Sequence, residues 1–190
     1  MADHQRSSHP EILSVRTAAR SRLFHIEAVR LRFSNGNERE YERLAGPASP
    51  GAVVVVPLLE SRHLLLVREY AVGLESYHLG LPMGLVREEE SAIEAANREL
   101  MEETGYAASR LARLHTLAVA PGILSFRMEV VLATGLYPAP LQGDEPEPLE
   151  TVQWPTDRLD ELSFHGAISD ARTLAALFVA RRAVAAIGTT

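Results

Sequence analysis

Between residues 84 and 106 the chain reads Gly84-Leu-Val-Arg-Glu-Glu-Glu90-Ser-Ala-Ile-Glu-Ala-Ala-Asn-Arg98-Glu99-Leu-Met-Glu102-Glu103-Thr-Gly105-Tyr106. From Ser91 onward the spacing is helical, and the residues that share one face are Ile93, Ala96, Asn97, Leu100 and Thr104. Ser91 and Glu94 have the spacing of a capping box, and Gly105 is well placed to end the helix. We therefore predict a helix between Ser91 and Gly105.

The predicted helix carries three glutamates on one side. Glu99, Glu102 and Glu103 lie at positions i, i+3 and i+4, beside the apolar face. Like charges at this spacing cost about 0.2–0.5 kcal/mol per pair, and the last turn of a helix prefers cations. A bound divalent cation reverses both effects. Oxygen ligands without His or Cys suit Mg²⁺ or Mn²⁺ better than Zn²⁺, which favours phosphate chemistry.

The same glutamates have a second interpretation, a solvated acidic face without a ligand. In that arrangement Arg98 pairs with Glu94 and Glu102, which lie four residues before and after it. The helix alone leaves both interpretations open.

Strand patterns surround the helix. Phe24 to Phe33 alternates apolar and polar residues, and a turn at residues 34–37 leads to a return strand at Arg39 to Leu44. Ala52 to Leu59 and His63 to Tyr70 have the apolar runs of central strands. Further strands are predicted at Leu111 to Val119, Met128 to Ala133 and Thr151 to Trp154, and a final helix at Ala171 to Ile187. This mixture predicts an α+β or three-layer α/β/α fold with a mixed sheet.

Composition limits the possible functions. A chain of 190 residues with 46% hydrophobic residues has the size of one globular domain. Without cysteine it has no disulfides, thiolate metal sites or cysteine nucleophile. The longest apolar run, Ala52 to Leu59, is too short to span a bilayer, so we expect a cytoplasmic protein. A net charge of −6 argues against binding to long nucleic acids, although a small polyanion can bind through cations.

Residues 84–106 resemble the complete signature of the Nudix family. The matching pattern is Gly84, five residues, Glu90, seven residues, Arg98-Glu99, an aliphatic residue, any residue, Glu102-Glu103, any residue, Gly105 and an apolar residue. The resemblance implies a loop–helix–loop that binds divalent metals, on a mixed sheet between helices. It also implies hydrolysis of nucleoside diphosphates that are linked to another group.

The resemblance assigns roles within the segment. The implied metal ligands are Glu99 and Glu103, Glu102 directly or through water, and the backbone carbonyl of Met83. Arg98 and Glu90 are expected to orient this cluster through salt bridges, with Glu102 and Arg98 as part of the catalytic group. Gly84 and Gly105 are structural positions in the motif.

A general base is expected on a loop, because related hydrolases place a glutamate there. The candidates lie in Asp144-Glu-Pro-Glu-Pro148, with Glu145 as the base and Glu147 as an accessory metal ligand. The alternative is a solvated acidic loop.

Other stretches resemble the Nudix enzymes that act on ADP-ribose, NADH and short diadenosine polyphosphates. They are Ala18 to Phe24, Val67 to Gly73, Leu136-Tyr-Pro and Gly143 to Pro148. Pro121 lies where ADP-ribose pyrophosphatases have a proline, and Arg68 either contacts substrate or is an exposed strand-end arginine. Ala71 and His78 depart from the pattern of relatives that have an arginine and an acidic residue there.

The resemblance also implies two segments and a homodimer. Residues 1–46 are expected to form a tail and an antiparallel β-hairpin that pairs with the partner, and residues 47–190 the Nudix hydrolase domain. Arg20 and Arg22 would then approach the site of the other subunit. The alternative is a monomer with the hairpin folded on its own sheet.

Two competing functions remain. A Nudix enzyme for nucleotide sugars shares the signature, because the signature does not define the group attached to the diphosphate. A noncatalytic nucleotide-binding regulator is expected to lose some metal-binding carboxylates, and this sequence retains all of them.

Overall fold

The structure is a computed structural model that describes residues 9–46, 51–60, 62–125, 127–162 and 168–188. The chain forms two compact units. One contains the described parts of Met1–Pro47 and Val119–Phe126, and the other those of Ala48–Ala118 and Arg127–Thr190. The predicted N-terminal tail lies, through residue 8, outside the described residues.

The first unit is a three-stranded antiparallel sheet in the order β1 (Glu11–Arg20), β2 (His25–Arg32) and β3 (Glu38–Ala45). The predicted hairpin is confirmed as β2 and β3, in which Arg32 pairs with Glu38. Its turn contains Gly36 with a φ of 81°, a left-handed conformation that glycine adopts without strain.

Strand β1 was not predicted. Its register against β2 shifts between Ile12 and Ser14 and again between Thr17 and Ala19. Such β-bulges interrupt the alternation of faces, which removes the period-2 signal from the sequence. The hairpin is therefore part of a larger sheet.

The second unit contains a seven-stranded sheet. Its strands are β4 (Ala52–Leu59), β5 (His63–Ala71), β6 (Ser76–Gly80), β7 (Met83–Leu85), β8 (Tyr106–Ala118), β9 (Arg127–Pro138) and β10 (Glu150–Pro155). The main path is β10-β5-β4-β9-β8, with β6 on β5 and β7 on β4. Strands β4 and β9 are parallel and the other pairs antiparallel. The predicted mixed sheet, with the two apolar runs at its centre, is confirmed.

The helices are α1 (Ala92–Thr104), the short α2 (Leu159–Leu162) and α3 (Ala171–Gly188). Helix α1 begins with the predicted capping box, in which Ser91 Oγ accepts from the Glu94 backbone N–H at 3.2 Å. It ends at Gly105, whose φ is 77°. Both predicted main helices are confirmed. Among the described helices, none combines the length and the apolar character needed to cross a membrane.

Helix α1 packs on the central strands through small apolar side chains. Ala96 and Leu100 join Val53, Val55 and Val131 in one buried cluster. Helix α3 also packs against β4. This packing places α1 with its C-terminal half beside β7, the strand that contains Met83 and Gly84.

Candidate active site

Two of the three glutamates on one side of α1 are buried. Glu99 is 7% exposed and Glu103 is 8% exposed, on the same face of the helix as Leu100. The Met83 backbone N–H contacts Glu103 Oε1 at 3.4 Å. Burying a carboxylate is unfavourable unless it is hydrogen-bonded, paired or coordinated to a cation. The arrangement therefore differs from a solvated acidic face.

Arg98 is the centre of the ion pairs. Its Nε and Nη2 donate to the two oxygens of Glu90, at 2.8 and 2.9 Å. Its Nη1 donates to Glu99 at 2.7 Å and to Glu102 at 2.8 Å. The Leu85 carbonyl accepts from Nη2 at 2.9 Å. These carboxylates, Glu90 first, raise the pKa of Arg98 above its ordinary value.

The alternative pairing of Arg98 with Glu94 does not occur. Glu94 instead accepts a hydrogen bond from the Ser91 backbone N–H at 2.9 Å, as the capping box requires. The other half of that alternative, the pair with Glu102, is present.

Burial sets the protonation of the two inner glutamates. Desolvation, followed by the charge of Glu99, raises the pKa of Glu103 to about 9. Desolvation also raises the pKa of Glu99, and the hydrogen bond from Arg98 only partly offsets it. The charge of Glu145 raises the pKa of both groups. The positive charge of Arg98 therefore does not compensate for the burial of Glu99 and Glu103.

Gly84 gives Glu99 its space. A Cβ at Gly84 would overlap the Glu99 carboxylate, so a larger residue would displace that carboxylate. Gly84 lies on β7, opposite Val53 of β4. The carboxylate therefore lies directly against the backbone of β7.

This donor set fits a divalent cation. It consists of carboxylate oxygens, two of which belong to glutamates whose raised pKa values a cation would lower again. In the described part of the chain, no three acidic or histidine side chains are arranged around one point as ligands would be. The guanidinium of Arg98 lies between Glu99 and Glu102 instead.

The structure brings Glu145 to this cluster. A Cβ at Gly143 would overlap the Glu145 carboxylate and would lie 3.4 Å from the Glu102 Cβ. Glu147 accepts a hydrogen bond from the Tyr77 hydroxyl at 2.5 Å. That bond engages one of the two Glu147 oxygens, and the role of Glu147 as an accessory ligand stays a prediction. Sequence reasoning missed Tyr77, since no motif points to it.

The two residues predicted to bind substrate, Arg68 and Pro121, do not belong to the group of glutamates on α1. Arg68 donates from Nε to Glu150 on β10 at 2.9 Å. Pro121 belongs to the first unit, where it lines a cavity of about 510 Å³ with residues of β2 and β3. Their contact with substrate stays a prediction. His78 has a buried Nδ1 without a hydrogen-bond partner among the described residues.

Family models, sequence relatives and a solved structure all match this chain to Nudix hydrolases. A model of the NUDIX domain matches residues 48–177, and one of the NudE-type Nudix hydrolase N-terminal domain matches residues 10–43. The chain is 50% identical to the ADP compounds hydrolase NudE of Escherichia coli over 90% of this chain and 91% of that protein. It is 26% identical to the ADP-ribose pyrophosphatase of Bacillus subtilis, over 87% of this chain and 91% of that protein. A solved structure, a crystal structure of ADP compounds hydrolase, superposes with a TM-score of 0.90 at 47% identity, over 97% of this chain and 98% of that one.

Proposed function

The chain belongs to the Nudix hydrolase family, and on that premise we propose that it hydrolyses the diphosphate bond of ADP-containing compounds with Mg²⁺. The proposed substrates are ADP-ribose, NADH and diadenosine di- and triphosphate. The observation that carries the proposal is the pair of buried glutamates near the end of α1, Glu99 against Gly84 and Glu103 against Met83. The 50% identity to an ADP compounds hydrolase supports the ADP moiety.

Nudix hydrolases generally use divalent metal ions, and the oxygen-only donor set favours Mg²⁺, with Mn²⁺ as the second choice. Glu99 and Glu103 would hold the ion, together with Glu102 and the Met83 carbonyl, and Glu147 as an accessory ligand. When bound, the ion offsets charge on the phosphoryl oxygens and lowers the pKa of water.

Arg98 keeps the carboxylates in place. Its guanidinium bridges Glu90 on the loop before α1 to Glu99 and Glu102 on the helix. The planar donor fork holds these groups in one geometry, which a lysine would not reproduce. Glu90 and Arg98 therefore position Glu99 and Glu102 and need not contact the substrate.

Glu145 is the proposed general base. It would take a proton from the attacking water as the new oxygen–phosphorus bond forms, while the bond from that phosphorus to the bridging oxygen breaks. With ADP-ribose and one water the products are AMP and ribose 5-phosphate. Arg68 and Pro121 are proposed to contact the nucleotide.

Three further statements are predictions from the sequence. We propose that the chain forms a homodimer through its first unit, residues 1–46 being the dimerisation element and 47–190 the catalytic domain. We also propose a cytoplasmic location, with small nucleotides rather than long nucleic acids as ligands.

The test is hydrolysis of ADP-ribose, NADH and diadenosine triphosphate in ¹⁸O-labelled water, with and without Mg²⁺. We expect AMP from each compound only with the metal, and the position of the label identifies the phosphorus attacked. Nucleotide sugars with other bases serve as the comparison panel. A preference for UDP- or GDP-sugars would contradict the ADP specificity, and equal rates in EDTA would contradict the metal assignment.

A further inference from the structure

The segment 139–149 connects β9 to β10 and carries Glu145. Its start is bound to the end of α1, because the Ala139 N–H donates to the Gly105 carbonyl at 2.9 Å and the Leu141 N–H to the Met101 carbonyl at 3.2 Å. These bonds fix the segment only on the β9 side of Glu145.

The opposite side is bound by a tyrosine of β6. The Tyr77 hydroxyl donates to Glu147 Oε1 at 2.5 Å, a short bond to a carboxylate oxygen. Charge-assisted O–H···O⁻ bonds of this length are about twice as strong as neutral ones.

Tyr77 is held by its own strand. It pairs with Tyr70 across β5 and β6, and the two rings meet edge to face with centroids 5.4 Å apart. The Tyr77 ring is therefore fixed on the sheet even though 54% of the residue is exposed.

The chain between Glu145 and Glu147 is stiff. The sequence there is Glu145-Pro146-Glu147-Pro148. Each proline fixes its own φ near −65° and keeps the residue before it out of the helical region. Both glutamates precede a proline, so a displacement of Glu147 is transmitted to Glu145 with little loss.

We propose that Tyr77 is a positioning residue that, through Glu147 and Pro146, holds the Glu145 carboxylate beside Glu102 near the end of α1. The inference rests on the proposed function, in which Glu145 accepts the proton. The segment is attached at Ala139 and Leu141 before Glu145 and at Glu147 after it. Loss of the Tyr77–Glu147 bond would therefore leave Glu145 attached only on the β9 side and free to move.

The test is the kinetics of Tyr77→Phe with ADP-ribose at saturating Mg²⁺. A general base contributes about 10²–10⁴-fold, and partial misplacement loses part of this, so kcat should fall about tenfold. KM should change less than about twofold, because nothing in the proposal places Tyr77 on the substrate. Tyr70→Phe, on the neighbouring strand, is the matched control and should keep its kcat.

Variants of the partner separate positioning from metal binding. Glu147→Ala should match Tyr77→Phe, and Glu147→Gln, which keeps an acceptor oxygen, should recover most of kcat. The double variant Tyr77→Phe/Glu147→Ala should be no slower than either single variant. In a Glu145→Gln background, Tyr77→Phe should have no further effect on kcat.

Three results would overturn the inference. Full kcat in Tyr77→Phe, with an active unsubstituted enzyme, would overturn this inference alone. An unchanged kcat of Glu147→Ala at saturating Mg²⁺ would also overturn it, whatever the response of that variant to Mg²⁺, which tests the accessory-ligand role. Absence of hydrolysis by the unsubstituted enzyme would overturn the proposed function as well.

Discussion

The Glu99 carboxylate occupies the space in which a side chain on Gly84 would begin. Gly84 lies on a strand paired with the central β4, whereas Glu99 can move its carboxylate by rotating side-chain bonds. A side chain added at position 84 would therefore move the Glu99 carboxylate and not the strand. The backbone at Gly84 thus determines where that carboxylate can lie.

Gly84→Ala should reduce activity without unfolding the protein. The added methyl displaces the Glu99 carboxylate, and a shift of about 1 Å at a catalytic group costs up to roughly 10²-fold in rate. The concentration of Mg²⁺ for half-maximal rate should rise, while the melting temperature stays nearly constant. Gly73→Ala is the control, since a Cβ there meets nothing within 4 Å. Normal Mg²⁺ activation in Gly84→Ala would contradict the proposed ligand.

The stability of the metal-free protein should fall as pH rises. The pKa of Glu103 is about 9 in the folded state, well above its value of about 4.3 in an unfolded chain. Between these values the folded state binds the extra proton, so the free energy of unfolding decreases across this range. Glu99 acts in the same direction, because its pKa is also raised. Urea titrations in EDTA from pH 5 to pH 9 measure the slope.

Glu103→Gln should weaken the decrease of the free energy of unfolding with pH. It should also abolish most turnover while leaving the fold intact. Mg²⁺ should stabilise the unsubstituted protein more at pH 8 than at pH 6, because the ion binds the ionised carboxylate. An unimpaired variant, or pH curves that run parallel to those of the unsubstituted protein, would count against the metal assignment.

Arg98→Met should lower the free energy of unfolding by about 3 kcal/mol, because it leaves clustered carboxylates without their partner. This loss of unfolding free energy should be smaller in Mg²⁺, because the ion supplies the missing positive charge. The control is Arg87→Met, because Arg87 pairs with the same Glu102 at a longer distance, 3.3 Å, and its own side chain is 63% exposed. Since Arg87 reaches this pair from solvent, its loss should cost nearer the roughly 0–1 kcal/mol of exposed pairs. Equal losses in both variants would show that Arg98 has no special role.

Glu145→Gln should reduce kcat by at least about 10²-fold at saturating Mg²⁺, because the amide cannot accept the proton. Glu147→Ala should reduce it much less. Steady-state rates at pH 8, with the folded fraction checked by circular dichroism, show which of the two substitutions lowers kcat more. Small and equal effects would remove Glu145 as the base.

Local signals explain why α1 was predictable to within a residue at each end. Ser91, Glu94 and Gly105 are cap residues whose bonds close within a few residues along the chain. The runs of β4 and β5 were equally visible, since their buried residues are consecutive. Such features need no knowledge of distant segments.

The missed features depend on distant segments or on broken patterns. The bulges of β1 hide its alternation, and β7 is only three residues long. The bond between Tyr77 and Glu147 joins residues 70 positions apart and requires the pairing of β5 with β6. The partners of Arg98 depend in the same way on the fold of the loop before α1, which carries Glu90.

The parallel pairing of β4 with β9 has a consequence for synthesis on the ribosome. Ala52 pairs with Met128, so β4 leaves the ribosome long before its neighbour does. Helix α1 and its neighbour β7 are both synthesised in that interval, so Glu99 and Glu103 can meet Gly84 and Met83 before β9 is present. The central sheet, in which β9 lies beside β4, is therefore completed only after the segment that carries the glutamates has been made.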